Sequence, residues 1–117
     1  MKLILSAHNI TITEAIENHI TDKLDKLDHL DPYAINARVM IEHDTSKQTD
    51  RKFKASIRLE EPGPDLYAED WEDDLYAAID LAFKKMEQQI RKRRSKFKAR
   101  NHTEAAAGKR RRQEAGL

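Results

Sequence analysis

The residues best placed to do chemistry in this chain are cations. The segment Ile90-Arg91-Lys92-Arg93-Arg94-Ser95-Lys96-Phe97-Lys98 holds six Lys/Arg in nine positions. Such a run repels itself, and a chain keeps it when an anion neutralises it; nucleic acid is the commonest large anion in a cell. The formal net charge of +1 over 117 residues conceals the contrast. Residues 1–83 carry 9 Lys/Arg against 18 Asp/Glu, a net of −9, whereas residues 84–117 carry 13 against 3, a net of +10. Polyphosphate binding is therefore the first hypothesis.

Other chemistries have little support. Gly63 is the only glycine before residue 108, so no glycine-rich phosphate loop exists. Ser6, Ser46, Ser56 and Ser95 stand in no nucleophile motif. His8, His19, His29, His43 and His102 show no paired metal-ligand spacing and read as surface histidines. With no cysteine, disulfides and thiolate metal sites are excluded. The expectation is a non-enzyme with no cofactor, no metal and no small-molecule substrate. The apolar start Met1–Ala7 is too short for a signal peptide, and no run approaches the roughly 20 apolar residues of a membrane span. A cytoplasmic protein without membrane contact is expected.

Periodicity supplies the elements that must position those cations. Leu3, Leu5 and Ala7 alternate with Lys2, Ile4 and Ser6 and predict a strand over 2–8. Thr13 suits an N-cap, Glu14 and Glu17 suit a helix's positive end, and Ile16, Ile20, Leu24, Leu27 and Leu30 form an amphipathic stripe. Asp31-Pro32 ends that helix. Ile35, Ala37, Val39 and Ile41 predict a second strand, and Phe53, Ala55, Ile57 and Leu59 a third, joined by a polar hairpin loop over 43–50. Glu61–Asp65 reads as a turn and Leu66–Glu69 as a short fourth strand. A long helix is expected from near Asp70, with Asp70, Glu72, Asp73 and Asp74 in its cap and first turn and Leu75, Ile79, Ala82, Met86 and Ile90 as its buried stripe. The order β-α-β-β-β-α implies an α+β fold: a four-stranded mixed sheet with a right-handed first crossover and both helices on one face. The other face would carry Lys2, Arg38, Lys52, Lys54 and Arg58. Residues 1–98 are expected to fold as one domain, and 99–117 to form a disordered basic tail.

On the last helix, Lys84, Arg91 and Lys98 line up opposite the apolar stripe, and Lys85, Lys92 and Lys96 form a second ridge a quarter-turn from it. Arg93 falls within the stripe, so the helix is expected to leave the core after Ile90. Two ridges favour phosphate binding over a solvated face or a helix paired with an acidic protein. Phe97 is the one aromatic among these charges, so recognition by backbone and shape is expected rather than base stacking. On the first helix Asp22, Asp25, Asp28 and Asp31 interleave with Lys23 and Lys26. Either these are surface ion pairs, or the lysines reach phosphate while the aspartates orient them; charge alone does not choose.

Asp73-Asp74-Leu75-Tyr76-Ala77-Ala78-Ile79-Asp80, followed by Lys85-Met86-Glu87-Gln88-Gln89-Ile90-Arg91-Lys92, resembles the signature of the ribosome hibernation promoting factor and ribosome-associated inhibitor A family. Ile12-Thr13-Glu14-Ala15-Ile16 and Lys23-Leu24-Asp25-Lys26-Leu27 resemble its first-helix segments. The resemblance covers residues 2–98 and is to the short form, without the second dimerising domain of long members. It implies a fold similar to a double-stranded RNA-binding domain with an added strand. It further implies a translational inhibitor that binds the small ribosomal subunit and its ribosomal RNA in the decoding channel, silencing and protecting ribosomes in stationary phase or stress.

By position, the family's basic contacts fall on Lys23, Lys26, Lys85, Arg91 and Lys92, with His8 and Asn9 near the RNA. Gln88 stands where relatives often have arginine, and Lys84 is a candidate to compensate. With Lys96 from the second ridge, these nine residues form the expected RNA-binding set, on a protein expected to be monomeric off the ribosome. Two other readings remain: a general structured-RNA-binding or ribosome-assembly factor, and a protein-interaction module of a transcription regulator.

Overall fold

The computed structural model describes residues 1–46 and 51–114, with side chains through Ser95. The elements are β1 (Lys2–His8), α1 (Glu14–Leu30), β2 (Asn36–His43), β3 (Phe53–Glu60), β4 (Leu66–Glu72) and α2 (Leu75–Glu114). The strands lie in sequence order, β1-β2-β3-β4. β1 pairs parallel to β2, and the β2–β3 and β3–β4 pairs are antiparallel. This is the expected mixed sheet. The long β1–β2 crossover carries α1, because parallel neighbours cannot be joined by a tight turn.

Alternation sets the two faces of the sheet. Ala37, Val39 and Ile41, with Ala55, Ile57 and Leu59, bury one face. The helices close the core over it with Ile16, Ile20, Leu24 and Leu27 from α1 and with Leu75, Ile79, Phe83, Met86 and Ile90 from α2. Thr13 caps α1 as expected, its Oγ1 accepting from Ile16 N at 3.2 Å. Asn9 links β1 to α1 with φ 57°, a left-handed conformation that asparagine tolerates better than most residues.

Four expectations need correction. β4 does not stop at Glu69 but runs to Glu72, because Asp70, Trp71 and Glu72 pair with Ala55, Lys54 and Phe53 of β3. α2 accordingly begins at Leu75, and its cap is Asp74, whose carboxylate accepts from Ala77 N at 3.0 Å. Ile35 is 56% exposed and precedes β2, while its neighbour Ala34 is buried. The α2 backbone remains helical to Glu114, 40 residues or about 60 Å, past the expected end at 98; Glu104–Ala107 are good helix formers, though Gly108 is not. Residues 47–50 of the expected hairpin loop, 115–117 of the tail and the side chains of Lys96 and Lys98 lie outside the described residues. Ile90 is the last buried residue of α2 among the described side chains, as the position of Arg93 implied.

Ile79 is fully buried, and Ile79→Ala should cost about 2–5 kcal/mol, read as a lowered urea midpoint with an unchanged slope. A second prediction concerns the pole where β3 ends beside α1. Glu61 Oε1 is buried without a donor. Burial, then a hydrogen bond to the Asp31 carboxylate and the charges of Asp31 and Asp65, pushes the Glu61 carboxyl up to about 8, against the pull of Arg93. With its pKa raised on folding, the stability Glu61 contributes is complete below about 4.5 and is lost as pH rises through about 8. Glu61→Gln should flatten that decline and exceed the wild type in stability above pH 8, measured by urea titrations at pH 5, 7 and 9.

Candidate nucleic-acid interface

The position of each cation follows from which flank of its helix it occupies. At about 100° per residue, His19, Lys23 and Lys26 share one flank of the α1 stripe, Asp22 lies beside Lys26, and Asp25 and Asp28 turn away from that flank. On α2, Tyr76 and Asp80 lie on the flank toward α1, Lys84 and Arg91 point outward, and Lys85 and Gln89 lie on the flank toward β4. The contacts agree. His19 Nε2 donates to Asp80 Oδ1 at 2.6 Å, and Lys23 Nζ stands 3.4 Å from the same oxygen. The Tyr76 ring meets the His19 ring edge-on, centroids 5.1 Å apart. Arg94 reaches back from α2 to the C-terminus of α1, donating from Nη1 to the Leu30 carbonyl at 2.8 Å.

The two helices thus run in the same direction with a polar seam between them. Lys23, Lys26, Lys84 and Arg91 border that seam. Lys26 and Lys84 are exposed and make no hydrogen bond or ion pair among the described residues; Arg91 pairs with Glu87 at 2.8 Å. The question left open for α1 resolves against local pairing. Neither Lys23 nor Lys26 bridges Asp22, Asp25 or Asp28, and Asp28 instead meets the N-terminal ammonium at 3.5 Å.

The second expected ridge is divided. Lys85 Nζ donates to the Glu69 carbonyl at 3.1 Å and to Asp70 Oδ1 at 2.8 Å. One turn on, Gln89 Nε2 donates to the Tyr67 carbonyl at 2.7 Å. Both side chains occupy carbonyls on the outer edge of β4, so Lys85 is a structural staple in the unbound protein. Lys92 of the same ridge is exposed and has no partner among the described residues. His8 and Asn9 are exposed at the end of β1. That is the pole where both helices begin, opposite Arg91 and Lys92. The expected residues with described side chains are therefore divided between the seam, the β4 flank of α2 and the end of β1 rather than gathered in one cluster.

On the open sheet face three cations are already matched, whereas the exposed Lys2 and Lys52 form no ion pair among the described residues. Arg38 bonds Glu60, Lys54 lies 3.1 Å from Glu69 and 3.6 Å from Glu42, and Arg58 lies 3.9 Å from Asp65. Hydrogen bonds from Arg38 and Asn36 hold the Glu60 carboxyl below its usual range. Lys54 and Arg58 also lie over the rings of Trp71 and Tyr67, at 5.5 and 5.3 Å. Among the described residues no cluster of His, Asp and Glu could hold a metal ion, and no helix is long and apolar enough to cross a membrane.

Residues 3–98 match the family described as Sigma 54 modulation protein / S30EA ribosomal protein. The chain belongs to this family. It is 31% identical over 93 residues to the ribosome hibernation promotion factor of Deinococcus radiodurans, covering 80% of this chain and 49% of that protein. It is 37% identical over 89 residues to the factor of the same name from Staphylococcus aureus strain COL, covering 76% and 46%. The chain therefore spans about half the length of these curated relatives. The crystal structure of the Thermus thermophilus Protein Y N-terminal domain superposes with a TM-score of 0.66 at 29% identity, over 79% of this chain and 98% of that one. A ribosomal subunit interface protein from Coxiella burnetii shares the fold, with a TM-score of 0.70 at 20% identity over 81% and 99%.

Asp80, His19 and Gln89 were not among the expected site residues. Their sequence signal is only a position beside an apolar stripe, and the partner across the gap depends on how the helices are aligned. The division of the ridge gives a direct check. Lys85→Met should lower stability by about 1 kcal/mol, whereas Lys84→Met should leave it unchanged; paired thermal melts distinguish them.

Proposed function

We propose that this protein is a ribosome-binding translational inhibitor that occupies the decoding channel of the small subunit and silences ribosomes in stationary phase or stress. The observation that carries this reading is the two-helix seam, which Lys23, held by Asp80, and the exposed Lys26, Lys84 and Arg91 flank. Membership of the S30EA family and similarity to two ribosome hibernation promotion factors support the ribosome as the polyanion.

The mechanism is occlusion, without covalent chemistry. Cations along the groove neutralise ribosomal RNA phosphates and release their counterions. The rigid sheet behind them holds the spacing that a folded RNA surface requires. Lys92, on the ridge of Lys85, and Lys96 would add phosphate contacts, and His8 and Asn9 would touch RNA at the opposite pole. Lys85 would contact RNA only by giving up Asp70. Residues 1–98 act as the binding domain, and the basic segment 99–117 follows the RNA path beyond it. The protein works in the cytoplasm as a monomer off the ribosome.

Sedimentation with purified ribosomes at increasing salt tests the reading. The wild type should pellet at low salt and be released as salt rises. The triple variant Lys26→Glu, Lys84→Glu, Arg91→Glu should lose roughly 100-fold in affinity, with a salt slope flatter by about 0.9 per lost phosphate contact. A wild type that stays at the top of the gradient at low salt would overturn the proposal. Equal competition by free duplex RNA would favour a general RNA-binding module instead.

A further inference from the structure

A carboxylate on the border of a polyanion-binding groove repels the ligand, so its presence there needs a reason. Asp80 is such a group. Its side chain is 45% exposed, and it lies on the α2 flank that faces α1. Asp80 Oδ1 accepts from His19 Nε2 at 2.6 Å and holds Lys23 Nζ at 3.4 Å. These partners are one turn apart on α1, so a single oxygen bridges the two helices at two successive turns. Tyr76, one turn before Asp80, braces the imidazole edge-on. Lys84 lies one turn beyond Asp80, and Lys26 just under one turn beyond Lys23.

We infer that Asp80 is a positioning residue for RNA binding: it organises Lys23, through a shared contact with His19, into the line made by Lys26 and Lys84. The inference rests on the RNA-binding reading above and deepens it. Without the carboxylate, the Lys23 ammonium samples many rotamers that must be frozen when RNA docks. With it, Lys23 is held half-buried, its side chain 30% exposed, at the groove's edge. When phosphate arrives, Lys23 can exchange or share its counter-ion with little movement.

The sign of one substitution separates this from a bystander role. Asp80→Asn keeps the shape, removes one negative charge and leaves an oxygen to accept from His19. If Asp80 were merely a nearby anion, the variant would bind ribosomes more tightly, because net positive charge rises. If it positions Lys23, binding weakens, by roughly fivefold or more at fixed salt, a size expected when one member of a hydrogen-bonded charge pair is lost. Asp80→Glu, which retains the charge but moves it by one methylene, should recover part of the loss.

The experiment is sedimentation with purified ribosomes for wild type, Asp80→Asn, Asp80→Glu, Lys23→Ala and the double variant Lys23→Ala, Asp80→Asn, each first shown to melt as one transition well above the assay temperature. In the Lys23→Ala background, Asp80→Asn should weaken binding no further. Tighter binding by Asp80→Asn, or an equal loss in both backgrounds, would overturn the positioning role while leaving ribosome binding intact. A variant that melts below the assay temperature would make Asp80 a fold residue and also overturn it, with Asp80→Glu as the check. A wild type that fails to pellet would remove the functional reading itself, and this inference with it.

Discussion

The apolar contact between α2 and the sheet is the constraint on which the rest depends. Ile79, Met86 and Ile90 are at most 2% exposed beneath β3 and β4. Burial of this kind is non-directional and does not by itself fix the azimuth of a helix. Polar contacts on either flank do so here. Lys85 and Gln89 hold carbonyls of β4 on one side, and Asp80 and Arg94 hold α1 on the other. α2 is thus fixed in rotation, and the direction of every exposed cation along it follows.

The same arrangement manages the edges of the sheet. An edge strand offers unpaired backbone groups to any passing strand. On β4, two of those carbonyls are occupied by side chains of α2 from within the molecule. A residue type that reads from composition as a phosphate ligand is spent on closing an edge. Charge counting cannot see this, because it treats every lysine as available.

Each candidate surface carries both matched and unmatched cations. On the open sheet face Arg38, Lys54 and Arg58 each have a carboxylate within 4 Å. Along the helix seam Lys23 and Arg91 have one too, and Lys26 and Lys84 have none among the described residues. A polyanion gains most where cations are exposed and unmatched, since it neither breaks an internal pair nor strands a carboxylate. The acidic half of the chain therefore does not oppose binding uniformly; Asp25 and Asp28 fall on the side of α1 away from Lys23.

The amino-acid sequence alone determined the element order, the buried faces and the long basic helix, because strict alternation and a 3.6-residue period report local geometry directly. Leu24, Leu27, Ile57 and Ile79 could be assigned to the core from spacing alone. The boundary at Asp70 differs from the sequence expectation for an equally local reason: acidic residues suit a helix N-terminus, but pairing with Phe53, Lys54 and Ala55 keeps Asp70 and Glu72 in β4. What only the tertiary structure decided was the fate of individual charges. Lys85 goes to the β4 edge, Lys23 to Asp80, and Lys26 and Lys84 to solvent. Each outcome depends on partners 15 to 57 positions away in sequence, or on having none. Such alignments arise only once two helices have settled on one sheet, where a shift of one residue rotates a side chain about 100° and exchanges its partner.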